Sequence, residues 1–295
     1  MQRKTIEKVI KAKMEEWIET LPELLGKAVK KSLLVSGGSI ASMFLGEDVN
    51  DYDVYIQDRN VLLDLVRYYT KNHELDILDG AKKSDYLDHP FYEVEDDDIT
   101  DTWYQWQRAV RNLKDNQVRI FVRNLGEGLK VEPDKDKTYQ PAFFSANAIS
   151  LTNEVQIVNR FHGTPDEIHA TFDFIHATNY FTFDKGLVTN LAAVESLLTK
   201  QLKYQGSFYP LTSIIRMKKF INRKWNINAG EILKIMFQIS ELNLKDVDVL
   251  EEQLIGVDVA YFGALIRALQ NTKQEITSTY LGVLIDKIFN DDSQD

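Results

Sequence analysis

The sequence predicts an α+β protein with a mixed-sheet domain over residues 1–185 and an all-helical domain over residues 186–295. Three observations predict it. In the first part, short apolar runs bounded by glycine, proline or asparagine alternate with stretches of helical periodicity. After Gly186 the pattern becomes helical almost to the end. Near the start, an apolar run enters a Gly-Gly-Ser turn and a short helix, and a second strand follows. A chain of 295 residues has room for one large domain or two smaller ones.

Taken in order, residues 5–30 read as one amphipathic helix, with Ile6, Val9, Ile10, Met14, Trp17, Ile18 and Leu21 recurring at helical spacing. Residues 31–35 form a short apolar strand, residues 39–45 a short helix with Ile40, Met43 and Phe44 inward, and residues 51–57 a second strand. Asn60 is the expected N-cap of a helix over residues 61–69. Residues 76–101 are acidic and poor in aliphatics, and are expected to be an inserted loop. Residues 119–123 and 129–131 are expected to pair across Gly126-Glu127-Gly128. Residues 143–151 and 154–161 are expected to pair across Thr152-Asn153. Thr164, Pro165 and Glu167 spell a helix start with a capping box. Residues 172–181 read as a further strand. Helices are expected at 187–204, 210–224, 230–240, 247–255, 259–269 and 277–290.

Composition excludes several classes. The hydrophobic fraction of 44% is ordinary for a globular protein, and no apolar run reaches membrane-spanning length. Met1-Gln2-Arg3-Lys4 lacks the apolar core of a signal peptide, so a cytoplasmic setting is expected. Cysteine is absent, which removes disulfides, thiolate metal sites and cysteine nucleophiles. The net charge of −10 disfavours a long nucleic-acid track. The charge is uneven, however. Residues 85–101 hold eight acids and no Lys or Arg, and residues 196–230 hold seven bases and no acid. The five histidines show no metal-ligand spacing and are expected to be structural or surface residues. No G-x-S-x-G occurs, and no G-x-G-x-x-G follows a strand.

The chemistry-bearing stretch is Val35-Ser36-Gly37-Gly38-Ser39, separated by eleven residues from Asp51-Tyr52-Asp53-Val54-Tyr55-Ile56. Alternate strand residues share a face, so Asp51 and Asp53 would project side by side. Two carboxylates on one face suit a hard cation such as Mg²⁺. A glycine turn at a helix start suits phosphate. The two together point to a nucleoside triphosphate.

This constellation resembles the polymerase-β-like nucleotidyltransferase superfamily: Gly38 and Ser39, then the spacer, then Asp51 and Asp53. The resemblance implies that a mixed-sheet catalytic domain precedes the helical domain. Gly37, Gly38 and Ser39 would bind the nucleotide, the Ser39 hydroxyl holding the β- or γ-phosphate. Asp51 and Asp53 would hold Mg²⁺ or Mn²⁺. The family's third carboxylate usually follows a strand like Val155-Gln156-Ile157-Val158, but a glutamine stands there. Asp173 in Phe172-Asp173-Phe174 is the preferred candidate for catalysis and metal binding, ahead of Glu154 and Asp184. Residues 155–158, 165–168 and 172–174 together resemble poorly characterised viral and phage nucleotidyltransferases.

The resemblance further implies contacts to triphosphate and base from the helical domain. Arg216, Lys219 and Arg223 share one helix face, and Lys200 and Lys203 lie three apart on the helix before it. The same residues also read as a solvated helix face. Phe208 and Tyr209 are candidate stacking aromatics or ordinary core. The implied activity transfers a nucleoside monophosphate from an NTP to an acceptor hydroxyl, with the 3′ end of an RNA such as tRNA favoured. The alternatives are an inactive nucleotide-binding or regulatory partner, or a toxin that modifies tRNA or protein.

Overall fold

The computed structural model describes residues 1–87, 106–107, 109–122, 128–254 and 277–291. Its centre is an eight-stranded mixed sheet in the order β10-β9-β1-β2-β8-β7-β6-β5. These strands are β1 (Leu33–Ser36), β2 (Tyr52–Ile56), β5 (Leu129–Lys130), β6 (Pro141–Phe144), β7 (Ala148–Leu151), β8 (Val155–Val158), β9 (Tyr180–Thr182) and β10 (Gly186–Val188). β3 (Asp76–Asp79) and β4 (Val118–Phe121) form a separate antiparallel pair. β1 is buried along its whole length, Leu33, Leu34 and Val35 as apolar residues and Ser36 with its hydroxyl hydrogen-bonded. It lies antiparallel to β2, which lies parallel to β8.

The first helical stretch is two helices, Arg3–Glu19 and Glu23–Ser32, and not one. Pro22 divides them, because proline restricts the residue before it and offers no N–H to continue the ladder. Ile6, Ile10, Met14, Trp17 and Ile18 are buried against the sheet as the periodicity predicts. The next helix is Gly38–Leu45, so Ser39 sits inside its first turn. Asp58, and not Asn60, caps the helix Arg59–Thr70, its carboxylate accepting from the N–H groups of Asn60 and Val61.

Several expected pairings change. β4 pairs with β3, inside the stretch expected to be a loop, and β5 pairs with β6. The expected 119–131 hairpin therefore does not form; Gly126 and Glu127 lie outside the described residues. The Arg59 guanidinium donates to both oxygens of Asp79, tying β3 to the Arg59–Thr70 helix. Residues 88–101 of the acidic segment also lie outside the described residues. The expected strand over 143–151 is a hairpin of β6 and β7, and β7 pairs with β8 across the 152–154 turn. The Thr164–Glu167 capping box forms and opens the helix Pro165–His169. Of the strand expected over residues 172–181, only its last two residues are strand, the start of β9; a single turn over Ile175–Ala177 precedes them.

The chain leaves the sheet after Val188. The helices Leu191–Thr199, Pro210–Asn222, Ala229–Ser240, Val247–Leu254 and Ser278–Asp291 follow. This part is not purely helical, because β11 (Gln201–Leu202) and β12 (Asn226–Ile227) pair in parallel. The expected helix over 259–269 lies outside the described residues. Phe174, Leu197, Leu202, Tyr204, Trp225 and Ile235 bury one another together with Ala41 of the Gly38–Leu45 helix. That shared core packs the C-terminal helices against the glycine turn. No described helix is long and apolar enough to cross a membrane.

Candidate nucleotide and metal site

The site starts at the end of β1. Gly37 has φ +95°, a conformation that side chains resist, and an added Cβ would lie 2.8 Å from Asp53 Oδ2. Glycine here lets the turn close onto the acidic strand. The Gly37 N–H donates to Ala177 O at 3.1 Å. Beneath it the Ser36 hydroxyl lies 2.8 Å from Asn179 O and 2.9 Å from His169 Nε2. Burial pushes His169 down to about 4, so its ring is neutral at pH 7 and fixes the turn as a hydrogen-bond partner. Above Gly38 an added Cβ would meet nothing within 4 Å, which leaves the helix start open. Ser39 is buried, and its hydroxyl has no hydrogen-bond partner. A buried hydroxyl without a partner at a helix start is unusual and matches a phosphate cradle.

Asp51 precedes β2 and Asp53 lies within it. Burial and the neighbouring Asp51 carboxylate push Asp53 up to about 7, while a hydrogen bond from Gln156 and the charge of Arg216 oppose the rise. Burial also raises Asp51, against the pull of Lys219. Two carboxylates that each resist ionisation form a site short of positive charge. In the parallel register Asp53 stands opposite Gln156, whose Nε2 donates to Asp53 Oδ1 at 3.0 Å. Gln156 thus holds one oxygen of Asp53 by a hydrogen bond.

Asp173 is buried, and its Oδ2 accepts from Arg216 Nη1 at 2.7 Å. Its Oδ1 accepts from the N–H of Phe174. It lies in a loop before the Ile175–Ala177 turn, so the strand alternation expected around it does not exist. From Pro210–Asn222, the charge of Lys219 opposes the rise of Asp51 and that of Arg216 the rise of Asp53.

Other expected contacts lie elsewhere. Lys200 ends its helix with φ +51° and pairs with Glu47 at 3.6 Å. Lys203 lies beyond β11 and pairs with Glu195 at 2.7 Å. They share no helix face, because the left-handed residue stops the helix and β11 turns toward β12. Tyr209 is buried, and its hydroxyl accepts from Arg160. The Gln156 contact and the steric need for Gly37 are not legible in the sequence, because both depend on what the fold sets beside Asp53.

The donors present are oxygen atoms of carboxylates flanked by an amide, a set that fits Mg²⁺ or Mn²⁺. Among the described residues, no group of three or more His, Asp or Glu side chains is placed to hold a metal ion.

A family described as Gad2, Gabija anti-defense 2 family protein, matches residues 8–200, about two-thirds of the chain. No curated protein matches. Among solved structures, a Thermotoga maritima CCA-adding enzyme complexed with tRNA is 14% identical, covering 77% of this chain and 45% of that one, with a TM-score of 0.39. A CCA-adding enzyme in apo form is 11% identical, covering 96% and 57%, with a TM-score of 0.40. A tRNA nucleotidyltransferase complexed with a primer tRNA and an incoming ATP analog is 11% identical, covering 88% and 65%, with a TM-score of 0.35. The chain spans about half the length of the first two. At these scores the likeness is loose and says nothing about chemistry.

Proposed function

The chain belongs to the Gabija anti-defense 2 family, and on that premise we propose that it counters a defence by metal-dependent nucleotidyl transfer. A nucleoside monophosphate passes from an NTP to an acceptor hydroxyl, and pyrophosphate leaves. One observation carries the reading: a mutually repelling Asp51–Asp53 pair lies directly against an open glycine turn with an unpartnered buried serine.

In this reading the Ser39 hydroxyl and the N–H groups of Gly38 and Ser39 hold the β- and γ-phosphates. Arg216 and Lys219 face the acidic pair and offset the charge of the triphosphate. Gln156 fixes one oxygen of Asp53 and leaves the other beside Gly37. Asp51 and Asp53 would hold Mg²⁺ or Mn²⁺, which supplies leaving-group neutralisation and activation of the acceptor hydroxyl. Asp173 positions Arg216. The acceptor is an RNA 3′ end of the tRNA kind, a reading supported by Arg216 and Lys219 on Pro210–Asn222, whose charges act on the acidic pair.

A second reading is an inactive nucleotide-binding partner. It is favoured by the amide at Gln156 and by the engagement of Asp173 with Arg216. The test is incubation of the chain with each α-labelled NTP, Mg²⁺ or Mn²⁺, and total cellular RNA and protein. Label is expected in RNA, with one NTP preferred. Asp51→Asn and Asp53→Asn are each expected to lower transfer at least about a hundredfold while melting as a folded protein. Label in protein would overturn the RNA acceptor. NTP binding with no transfer would establish the second reading, and normal transfer by both variants would sink the site.

A further inference from the structure

A second cluster of charge lies away from the aspartates, where β4, the end of β8 and the C-terminal helices meet. Arg119 on β4 is 8% exposed, and Arg160, two residues past β8, is 3% exposed. Among the described residues, the acid placed against them is Glu252 of Val247–Leu254. Its Oε1 lies 3.6 Å from Arg119 Nη2 and 3.9 Å from Arg160 Nη2, beyond hydrogen-bond reach of both. Arg119 Nε and Nη2, Arg160 Nε and Glu252 Oε1 all lack a hydrogen-bond partner.

Lys114 adds a third positive charge: burial lowers its pKa, the charge of Glu252 opposes that, and the charges of Arg160 and Arg119 add to it. Three cations around one acid, two of them buried with open donors, are costly unless an anion fills the space. A guanidinium fork matches phosphate oxygens in pairs. Aromatic rings interleave the cations. Lys114 Nζ lies 4.5 Å over the Phe208 ring, and the Arg160 guanidinium lies 4.1 Å over Tyr209 and 5.5 Å over Phe161. Phe161 and Phe208 stack with centroids 6.4 Å apart, and Phe208 is 44% exposed.

We propose that Arg119, Arg160 and Lys114 form a second phosphate site, which takes the phosphate of a nucleotide or nucleic-acid strand, with the Phe161–Phe208 pair receiving the attached base. Glu252 occupies part of this site when the phosphate is absent. Tyr209, the hydroxyl partner of Arg160, caps the helix that carries Arg216. Arg216 lies seven positions after Tyr209, about 10 Å along a helix axis, so both sites lie along one helix.

The test is calorimetry on the full chain in EDTA, which silences metal-dependent triphosphate binding at the aspartates. The probes are inorganic phosphate, AMP and a 5′-phosphorylated trinucleotide. Saturable binding is expected, with AMP tighter than phosphate, and a trinucleotide tighter than AMP would identify a strand as the source. Glu252→Gln is expected to bind phosphate about tenfold more tightly. It should also melt lower in phosphate-free buffer and recover when phosphate is added. Lys114→Ala, a change at an exposed residue, should weaken binding about tenfold without lowering the melting temperature.

Ser39→Ala should leave binding unchanged; loss of binding in that variant would assign the anion to the first site and overturn the proposal. So would no saturable binding by either the native chain or Glu252→Gln, or a lower melting temperature in Glu252→Gln that phosphate does not restore. Equal affinities for AMP and phosphate would overturn the base contact.

Discussion

Gly37 is the residue on which the geometry turns. Its φ of +95° and the 2.8 Å approach of Asp53 Oδ2 to its missing Cβ are separate obstacles to any side chain. Gly37→Ala is therefore expected to cost about 1–3 kcal/mol of stability, read by urea melts. Its loss of transfer should exceed what lowered stability explains, because relief of the clash moves Asp53. Full transfer at a lowered melting temperature would show that the turn need not touch the acidic strand. The sequence displayed this glycine but not its reason, since the clash involves a carboxylate sixteen positions later. Ser39, Asp51 and Asp53 stand out in the sequence because a glycine turn at a helix start and an Asp-x-Asp strand are local patterns. Gln156 was legible only as a departure from a pattern, until the register set it opposite Asp53.

At the scale of elements, the Ile175–Ala177 turn docks the Pro210–Asn222 helix through His176. That ring is buried, 4.6 Å from the Phe220 centroid and 4.7 Å from that of Trp225, and its Nδ1 has no partner. Burial pushes His176 down to about 4, only partly countered by the charge of Asp173. An unfolded histidine titrates near 6.5. Between these values the unfolded chain binds the extra proton, so stability is full above about pH 6.5 and falls as pH drops toward 4. The loss is expected to reach about 3 kcal/mol for this group, measured by urea melts at pH 7, 5.5 and 4.5. His176→Phe keeps the aromatic packing and removes the titration, and so should flatten that part of the profile; an unchanged slope would clear His176. The expected strand over residues 172–181 hid this contact, because strand alternation turns His176 away from Asp173. The chain instead makes a turn there and presents the ring to a helix some forty residues on.

Across the whole molecule, Arg216 links the two parts of the chain, reaching from a C-terminal helix to Asp173 and bearing on Asp53. A positioning role for Asp173 makes a separable prediction. Asp173→Asn is expected to raise the KM for NTP severalfold and to leave Mn²⁺ affinity unchanged in calorimetry, because the tether on Arg216 weakens while the Asp51–Asp53 pair stays intact. A loss of Mn²⁺ affinity matching that of Asp51→Asn would make Asp173 a direct ligand. The core around Ala41, Phe174 and Trp225 holds the helices against the glycine turn without the ion pair, so the variant should stay folded.

What the sequence determined by itself rests on neighbours along the chain. The glycine turn, the Asp-x-Asp strand, the Thr164 capping box and the buried stripe of the first helix each depend on contacts within a few residues, and their periods appear in the residue order. Pro22 was equally local, and its break in that helix could have been read. Only the tertiary structure decided that β3 meets β4, that Gln156 bonds Asp53 across 103 positions, and that Arg216 bonds Asp173 across 43. Those partners meet because the sheet order brings distant strands into register and a shared core presses the helices onto them, and no local period encodes either.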